Sequence, residues 1–282
     1  MIRTQVPQSD SLVVNDILLS YLDWNASAAE GKRPVLLVHG LSSQGHTWDP
    51  IAAALAEDRR VLAPDLRGHG DSEWARDGYH LERFVSDLDA FLAAVGVDEV
   101  DYIGQSFGGQ VGLALAGERP DLVRRLVLND MGPEMAPASV GTTRATVSGA
   151  DVRGFASIDA AEEHFSALYP EWRPDFVRSF AEHQLRENWA GKLVLKADPD
   201  LFWLLGSAGR KSVPYLWETV ERIEAEVLVF WCQNSEVLDA GIVDRFVGAL
   251  RHGSVEKVEA GHFFPREDPE QFVSLSKRFL DA

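Results

Sequence analysis

Short aliphatic runs, each followed by a helical segment, recur along most of this chain and constrain its fold more than any other feature. Val35–Val38 is one such run, and the Asp49-Pro50 pair downstream predicts the start of a helix. A run without polar residues is typical of a strand buried on both faces. Similar runs predict strands at 60–64, 100–104, 126–128, 227–230 and 255–258. This alternation predicts an α/β fold with a mostly parallel sheet flanked by helices.

The alternation stops after Asp130 and resumes at Val227. The intervening residues, 134–225, contain no convincing buried strand, whereas apolar spacing predicts helices at 159–168, 174–190 and 215–223. We therefore expect a helical cap, residues 134–225, inserted into a core formed by residues 1–133 and 226–282. At the beginning of the core, residues 11–24 predict two short strands around an Asn15-Asp16 turn.

Composition limits the classes of partner and of site. The chain has 282 residues, with 27 Lys and Arg against 44 Asp and Glu, which gives a net charge of −17. Binding to nucleic acid or to an anionic membrane surface requires neutralisation of phosphates, so this balance argues against both. The one cysteine, Cys232, excludes an intramolecular disulfide and a multi-cysteine metal site, and its strand-end position predicts an inert buried thiol.

The N-terminal residues lack the pattern of a secretory signal, and no apolar run reaches the length of a membrane span. These features predict a soluble, cytoplasmic protein. We expect a small-molecule substrate and a monomer or homodimer, with no metal and no organic cofactor.

The strongest chemical signal is the sequence Gly104-Gln105-Ser106-Phe107-Gly108, a G-x-S-x-G placed between a predicted strand and a predicted helix. A serine on such a turn is held in a strained conformation at the carboxyl edge of the sheet, where it can act as a nucleophile. The N–H of Phe107, at the start of the following helix, can stabilise an oxyanion.

Histidines follow two other predicted strands. His39-Gly40 comes directly after 35–38, and this loop can present the N–H of Leu41 as a second oxyanion donor. We expect His39 itself, and His69 in its own loop, to be structural. His262 follows the last predicted strand, at the same sheet edge as Ser106, and can take and return the serine proton.

The chain carries LLVHG, DLRGHGDS, GQSFGG and AGH in an order and spacing that resembles the α/β-hydrolase superfamily, over essentially its whole length. The resemblance implies Ser106 as nucleophile, His262 as base and the Leu41 and Phe107 amides as oxyanion hole. A serine at position 106 tells against the dehalogenase and epoxide-hydrolase branches, which have aspartate there. The motifs say little about the substrate, because the fold hosts many chemistries.

The acid of the catalytic triad departs from the usual family pattern. Family members commonly have an aspartate where this chain has Ser235, and a carboxylate follows one position later, at Glu236. Asp130, at the end of the strand after the nucleophile helix, is the other candidate, because some members have their acid at that strand end. We favour Asp130 over Glu236, since residues at strand ends are held more rigidly than loop residues.

Aromatic residues are frequent in the expected cap, and most of them are expected to pack its helices together. Several can instead line an apolar pocket above Ser106 that suits a hydrophobic or aromatic acyl or lactone group. The candidate pocket residues are Trp172, Trp203 and Trp217 of the cap and Trp48 of the core.

The leading functional prediction is a serine hydrolase acting on a small carboxylic ester or lactone. A second is hydrolysis of a carbon–carbon bond in a ring-cleavage product, which requires cations for the substrate carboxylate. The arginines of the expected cap that we consider for this role are Arg144, Arg153, Arg178, Arg186 and Arg210, none of them specifically placed by the sequence. Cofactor-free dioxygenation of a heteroaromatic compound and a non-catalytic ligand receptor on the same scaffold are the remaining alternatives.

Overall fold

A computed structural model describes residues 6–24, 32–137, 139, 154–205 and 207–282, of which 205 and 207–210 are described by their backbone alone. The strands of the main sheet are β1 (Gln8–Val14), β2 (Ile17–Trp24), β3 (Val35–Val38), β4 (Val61–Pro64), β5 (Val100–Gln105), β6 (Val123–Asn129), β9 (Glu226–Cys232) and β10 (Gly253–Val258). A separate hairpin consists of β7 (Leu185–Glu187) and β8 (Leu193–Leu195).

The described helices are α1 (Asp49–Leu55), α2 (Leu81–Ala94), α3 (Phe107–Glu118), α4 (Ile158–Leu168), α5 (Pro174–Gln184), α6 (Ser207–Val220), α7 (Ala240–Ala249), α8 (Phe264–Glu267) and α9 (Pro269–Leu280). Short 3-10 segments occupy Gly45–Trp48 and Pro199–Leu205. Among the residues described, no helix combines the length and apolar character that crossing a bilayer requires.

The main sheet has the strand order β1-β2-β4-β3-β5-β6-β9-β10. β1 and β2 pair antiparallel, β2 pairs antiparallel with β4, and all further neighbours pair parallel. The predicted α/β fold with a mostly parallel sheet is therefore confirmed. The Asn15-Asp16 turn is confirmed too, because both residues have positive φ, at 47° and 62°, as a tight hairpin turn requires.

Each face of the sheet has its own hydrophobic layer, because successive side chains of a strand point to opposite faces. In β3, Leu36 and Val38 join the layer that contains α2, α3 and α6. Val35 and Leu37 join the layer formed with α1 and α9. This covering on both faces explains the absence of polar residues in the run.

Between β6 and β9 the described residues depart from the predicted run of helices. The helix predicted over 174–190 ends at Gln184, and the next residues form the β7–β8 hairpin. The prediction of its second half was wrong because turn chemistry dominates there. The Asn188 side chain accepts the N–H groups of Ala190 and Lys192, and Gly191 has φ +71°.

A small aromatic cluster joins α4 and α5 through Phe165, Trp172, Phe176 and Phe180. Helix α6 lies against α3, where a Cβ on Gly117 would come within 2.3 Å of a Thr219 methyl carbon. Its first half precedes Pro214, which is why the sequence pattern indicated a helix only from 215. The cap boundary at 134 remains a prediction, because residues 138 and 140–153 lie outside those described.

Candidate active site

The candidate catalytic residues follow strands that end at one edge of the sheet. β5 and β6 are parallel neighbours, and their final residues, Gln105 and Asn129, pair directly. Ser106 and Asp130 are the next residue of each chain segment, and His262 comes after β10. Because parallel strands share their direction, these ends meet at the carboxyl edge of the sheet, where α/β proteins bind ligands.

Ser106 lies on a strained turn between β5 and α3. Its φ is 53° and its ψ is −122°, a conformation that side-chain-bearing residues rarely adopt. The flanking glycines make room for it. A Cβ on Gly104 would lie 2.6 Å from the Gly108 carbonyl oxygen, and one on Gly108 would lie 2.4 Å from the Val38 oxygen. Both contacts are impossible for a larger residue, which explains the G-x-S-x-G spacing.

The loop after β3 passes directly over the serine. A Cβ on Gly40 would lie 3.2 Å from the Ser106 Cβ, so the backbone leading to Leu41 runs against the nucleophile. Phe107 is the first residue of α3, and its amide is one that no turn of the helix can satisfy. Among the described residues, neither the Leu41 nor the Phe107 N–H donates a backbone hydrogen bond. Two free amides beside Ser106 suit a developing oxyanion.

Asp130 contacts the imidazole of His262. The His262 Nδ1 lies 2.8 Å from Asp130 Oδ2, and the carboxylate is fully buried. Asp130 has φ +49°, and its own N–H donates to the Phe230 carbonyl at 2.9 Å. Its side chain also accepts the N–H of Cys232 and the hydroxyl of Ser235, at 3.3 and 2.5 Å. Asp130 therefore follows the end of β6 and is held by hydrogen bonds from residues at and just after the end of β9.

The other candidate acid lies elsewhere. Glu236 is exposed, and within the described part of the chain its carboxylate makes no hydrogen bond or ion pair with His262. Ser235, at the position of the usual family aspartate, points to Asp130. The structure thus brings Ser235, Asp130 and His262 together and leaves Glu236 outside the group.

Asn129 connects the serine and the histidine. Its carbonyl accepts the Ser106 N–H at 3.4 Å, and its side-chain amide donates to the His262 carbonyl at 2.9 Å. The described residues show no direct hydrogen bond between the Ser106 hydroxyl and His262. Such bonds in free enzymes are often long and tighten when substrate binds. The His262 loop is held in addition by Glu267, whose carboxylate accepts the Gly261 N–H at 2.7 Å.

The other loop histidines are structural. His39 is fully buried, its Nδ1 donates to the Gly40 carbonyl, and its Nε2 accepts the Leu66 N–H. Its ring lies 4.9 Å from that of His69. Burial lowers the pKa of His39 well below its usual range and lowers that of His69 to about 4. Cys232 is buried as expected, and burial raises the pKa of its thiol, so it stays protonated.

The expected pocket tryptophans lie in different places. Trp48 is 1% exposed and packs against Phe272 in the layer formed with α1 and α9. The expectation that it forms a pocket wall is therefore wrong: Trp48 is a core residue. Trp203 is half-exposed beside His80, and Trp217 packs on Phe246 beneath Arg245. Trp172 stacks on Tyr169 within the aromatic cluster of the cap. A pocket role for these three remains a prediction.

The arginines of the expected cap do not supply an evident substrate cation. Arg178 is paired with the carboxylates of Asp159, Glu162 and Glu182 on the surface, and Arg186 lies over the ring of Trp74. Arg144 and Arg153, together with the side chain of Arg210, lie outside the described residues.

Sequence reasoning missed one buried cation, Arg266, four residues after His262. Its side chain is 4% exposed, and its Nη2 donates to the Ser43 hydroxyl and the Gln105 side-chain oxygen, at 3.0 and 3.5 Å. Burial lowers its pKa to about 10. This guanidinium therefore contacts the residue that immediately precedes Ser106. The sequence around Arg266 is typical of an exposed surface arginine, and only the packing in the folded protein shows that its side chain is buried.

Within the described residues, no group of three or more His, Cys, Asp or Glu side chains is arranged to hold a metal ion. What the arrangement can do chemically follows from its donors and acceptors. It combines a strained serine, a carboxylate-oriented imidazole and two free amides, which are the parts that acyl transfer through an activated nucleophile requires.

Comparison with known proteins points the same way. A family model described as alpha/beta hydrolase fold matches residues 33–269. A 3-hydroxybutyrate-oligomer hydrolase from Cupriavidus necator is 34% identical, over 94% of this chain and 93% of that protein. An esterase from Mycobacterium tuberculosis is 29% identical, over 94% of this chain and 87% of its own. The crystal structure of E-2-(acetamidomethylene)succinate hydrolase aligns with a TM-score of 0.87 at 22% identity, covering 98% of this chain and all of that one.

Proposed function

The chain belongs to the α/β-hydrolase family, and from that premise we propose that it is a serine hydrolase of small carboxylic esters or lactones. The nucleophile is Ser106, the base is His262 and the acid is Asp130. The observation that carries this proposal is the 2.8 Å contact between His262 Nδ1 and the buried carboxylate of Asp130, one strand from the strained Ser106.

The contact determines the role of each imidazole nitrogen. Because Nδ1 donates its hydrogen to Asp130, Nε2 is left with the lone pair that accepts the Ser106 hydroxyl proton. Ser106 Oγ then attacks the ester carbonyl, and the carbonyl oxygen becomes an oxyanion between the amides of Leu41 and Phe107. Asp130 stabilises the imidazolium that forms, without taking its proton.

Collapse of the tetrahedral intermediate completes the first half of the reaction. The His262 imidazolium gives its proton to the leaving alcohol, and the acyl group remains on Ser106 as an ester. A water molecule then gives its proton to His262 and attacks the acyl carbon. When the second tetrahedral intermediate collapses, the His262 imidazolium returns its proton to Ser106 Oγ and the carboxylic acid leaves, so atoms and charges balance without another reactant.

For the substrate, the similarity to the 3-hydroxybutyrate-oligomer hydrolase from Cupriavidus necator extends over nearly the whole chain. This similarity supports short esters of hydroxy acids as substrates of this chain. We take the linear dimer of 3-hydroxybutyrate as the first natural-type substrate to test. The aromatic residues of the cap support small hydrophobic or aromatic acyl and lactone groups as the next candidates. Neither substrate class requires a metal or an organic cofactor in this mechanism.

The test is labelling with a fluorophosphonate, followed by mass mapping of the adduct, alongside turnover of p-nitrophenyl esters. We expect labelling at Ser106, burst release of p-nitrophenol and loss of both in Ser106→Ala. Ser235→Ala serves as a labelling control, because that hydroxyl contacts Asp130 and is not the proposed nucleophile. Absence of labelling and of turnover with every ester and lactone tested would refute the proposal.

A further inference from the structure

A groove of about 550 Å³ separates α5 from α1 and α9, and the buried guanidinium of Arg266 contributes to its lining. Its other walls combine apolar surface, such as Phe176 and Val273, with polar side chains. The polar side chains of the lining include those of His46, Arg173, Ser179 and Lys277. The groove therefore lies where α5 meets α1 and α9.

Every other basic side chain of the groove already has a carboxylate partner. Arg173 pairs with Asp175 and Glu270. Lys277 pairs with Glu57, and His46 contacts Asp49. Arg266, the most buried of them, has no carboxylate partner among the described residues. A buried charge without a partner is unfavourable, so this asymmetry calls for an explanation.

Aromatic rings supply part of that explanation. The Arg266 guanidinium lies 4.6 Å from the ring centre of Trp172, 4.7 Å from that of Phe263 and 5.4 Å from that of Phe180. These rings attract a cation, but they accept few of its five N–H groups. Nη2 is bound to Ser43 and Gln105, whereas Nε is buried without a partner. The third nitrogen, Nη1, makes no hydrogen bond with the described residues and is not among the buried unpartnered atoms, so it is the part of the guanidinium that an acceptor in the groove can reach.

We infer that the groove is a binding site for a small carboxylic acid, with Arg266 as the cation that receives its carboxylate. A carboxylate matches the planar fork of an arginine in two parallel hydrogen bonds. The apolar walls suit a short aliphatic chain. The carboxylates of Asp49, Glu57, Asp175 and Glu270 around the groove disfavour a doubly charged anion such as phosphate.

The choice of ligand rests on the proposed function, because an ester hydrolase releases a carboxylic acid. Such an acid has two sources. It is either the free carboxyl end of an ester substrate or a separate acid molecule, and the chemistry at Arg266 is the same for both. The contact of Arg266 with Gln105, next to Ser106, and with Ser43, in the loop after Leu41, gives either source a physical path to the catalytic residues.

Direct binding of 3-hydroxybutyrate and of butyrate, measured by calorimetry on the whole protein, tests the site without turnover. We expect saturable binding to the wild type and a loss of about tenfold or more in affinity in Arg266→Gln. Arg278→Gln is the matched control, since that cation is paired with Glu256 and does not line the groove, and its affinity should stay within about twofold. Equal affinity in wild type and Arg266→Gln, or no binding to the wild type, overturns the inference.

A second variant covers the case in which Arg266→Gln does not fold. Ser179 lines the groove half-buried on α5, so Ser179→Glu places a competing carboxylate near Arg266 while leaving the guanidinium intact. We expect it to weaken acid binding about tenfold, whereas Ser179→Ala retains it. Unchanged acid binding in Ser179→Glu contradicts the inference.

Paired substrates identify the source of the acid. If Arg266 receives the acid end of the substrate, Arg266→Gln or Ser179→Glu raises KM for the 3-hydroxybutyrate dimer about tenfold and leaves KM for its methyl ester unchanged. If it receives a separate acid, both KM values stay constant and only acid binding is lost. Failure of the proposed function looks different: no ester is turned over, although acid binding still depends on Arg266.

Discussion

Ser235 donates its hydroxyl to the same oxygen of Asp130, Oδ2, that receives the Nδ1 hydrogen of His262. Ser235, at the position where family members commonly have the acid, is thus a hydrogen-bond donor to the proposed acid, which follows another strand. A fully buried carboxylate requires hydrogen-bond donors in place of water, and the Cys232 N–H supplies a third contact. The exchange of roles between positions 130 and 235 leads to the first two predictions.

Asp130→Asn should lower kcat for p-nitrophenyl esters by about 10⁴, because the imidazole loses both its tautomer and the charge that stabilises imidazolium. Glu236→Gln should leave kcat within about twofold, since that side chain is exposed and does not contact His262. Steady-state kinetics of the two variants, with circular dichroism as a check of folding, decide between the acids. The reverse ranking would transfer the role to Glu236.

A carboxylate placed at position 235 should restore part of the activity that Asp130→Asn removes. The Ser235 oxygen lies 2.5 Å from the Asp130 oxygen that contacts His262, so an aspartate there can approach the same imidazole. We expect the double variant Asp130→Asn, Ser235→Asp to exceed Asp130→Asn about tenfold or more in kcat. The matched control is Asp130→Asn with Ser235→Asn, which has the same shape without the charge. Equal rates for the two double variants would contradict the prediction.

Gly108→Ala should lower the free energy of unfolding by about 1–3 kcal/mol and reduce activity. The added carbon would clash with two backbone oxygens that cannot move easily. Those oxygens belong to Val38 and His39, at 2.4 and 2.5 Å. Gly248→Ala, also in a helix, meets no atom within 4 Å and should stabilise by up to about 1 kcal/mol. Urea unfolding of both variants measures the contrast, and equal destabilisation would refute the steric argument.

Asp65 should make stability depend on pH in a direction opposite to that of most carboxylates. Burial raises its pKa from 3.8 to about 6, so between these values the folded chain holds a proton that the unfolded chain has lost. Its contribution therefore increases as the pH falls through this window, and the ionised group opposes folding at pH 7.

Removing the group isolates this effect. Lowering the pH from 7 to 4.5 should raise the unfolding free energy of the wild type by about 2 kcal/mol relative to that of Asp65→Asn. Asp244→Asn, at an exposed position on α7, is the control, and its difference should stay constant. A difference for Asp65→Asn that does not change with pH would show that the buried group does not titrate in this range.

Much of the site could be predicted because its residues occupy strand ends. Aliphatic runs locate the strands, parallel pairing brings their ends together, and Ser106, Asp130 and His262 follow from that placement. The preference for Asp130 had this basis, and the structure places that carboxylate against His262. The strands and most helices are local patterns, and local patterns are what a sequence displays directly.

The remaining features depend on contacts between distant segments. The sequence predicts that Trp48 lies in the loop after His39-Gly40, but its aromatic partner Phe272 belongs to the last helix, α9. Arg266 is surrounded by rings from α5, the segment before it and its own loop, and no local spacing indicates this. The β7–β8 hairpin was missed because its strands are only three residues long and only partly buried, so they lack the aliphatic signature of the main sheet.

The position of the proposed acid, Asp130, directly after β6 also determines which segment of the chain can be exchanged. Ser106 and Asp130 belong to one continuous segment, which runs from β5 through α3 and β6 to the residue directly after β6. Only His262 comes from beyond it. The distance between Ser106 and Asp130 therefore does not depend on the length or sequence of the segment between β6 and β9. Replacement of the segment between β6 and β9 by that of another relative would change what reaches Ser106 while leaving the Ser106–Asp130 geometry as it is, which makes this scaffold suited to exchange of specificity by grafting.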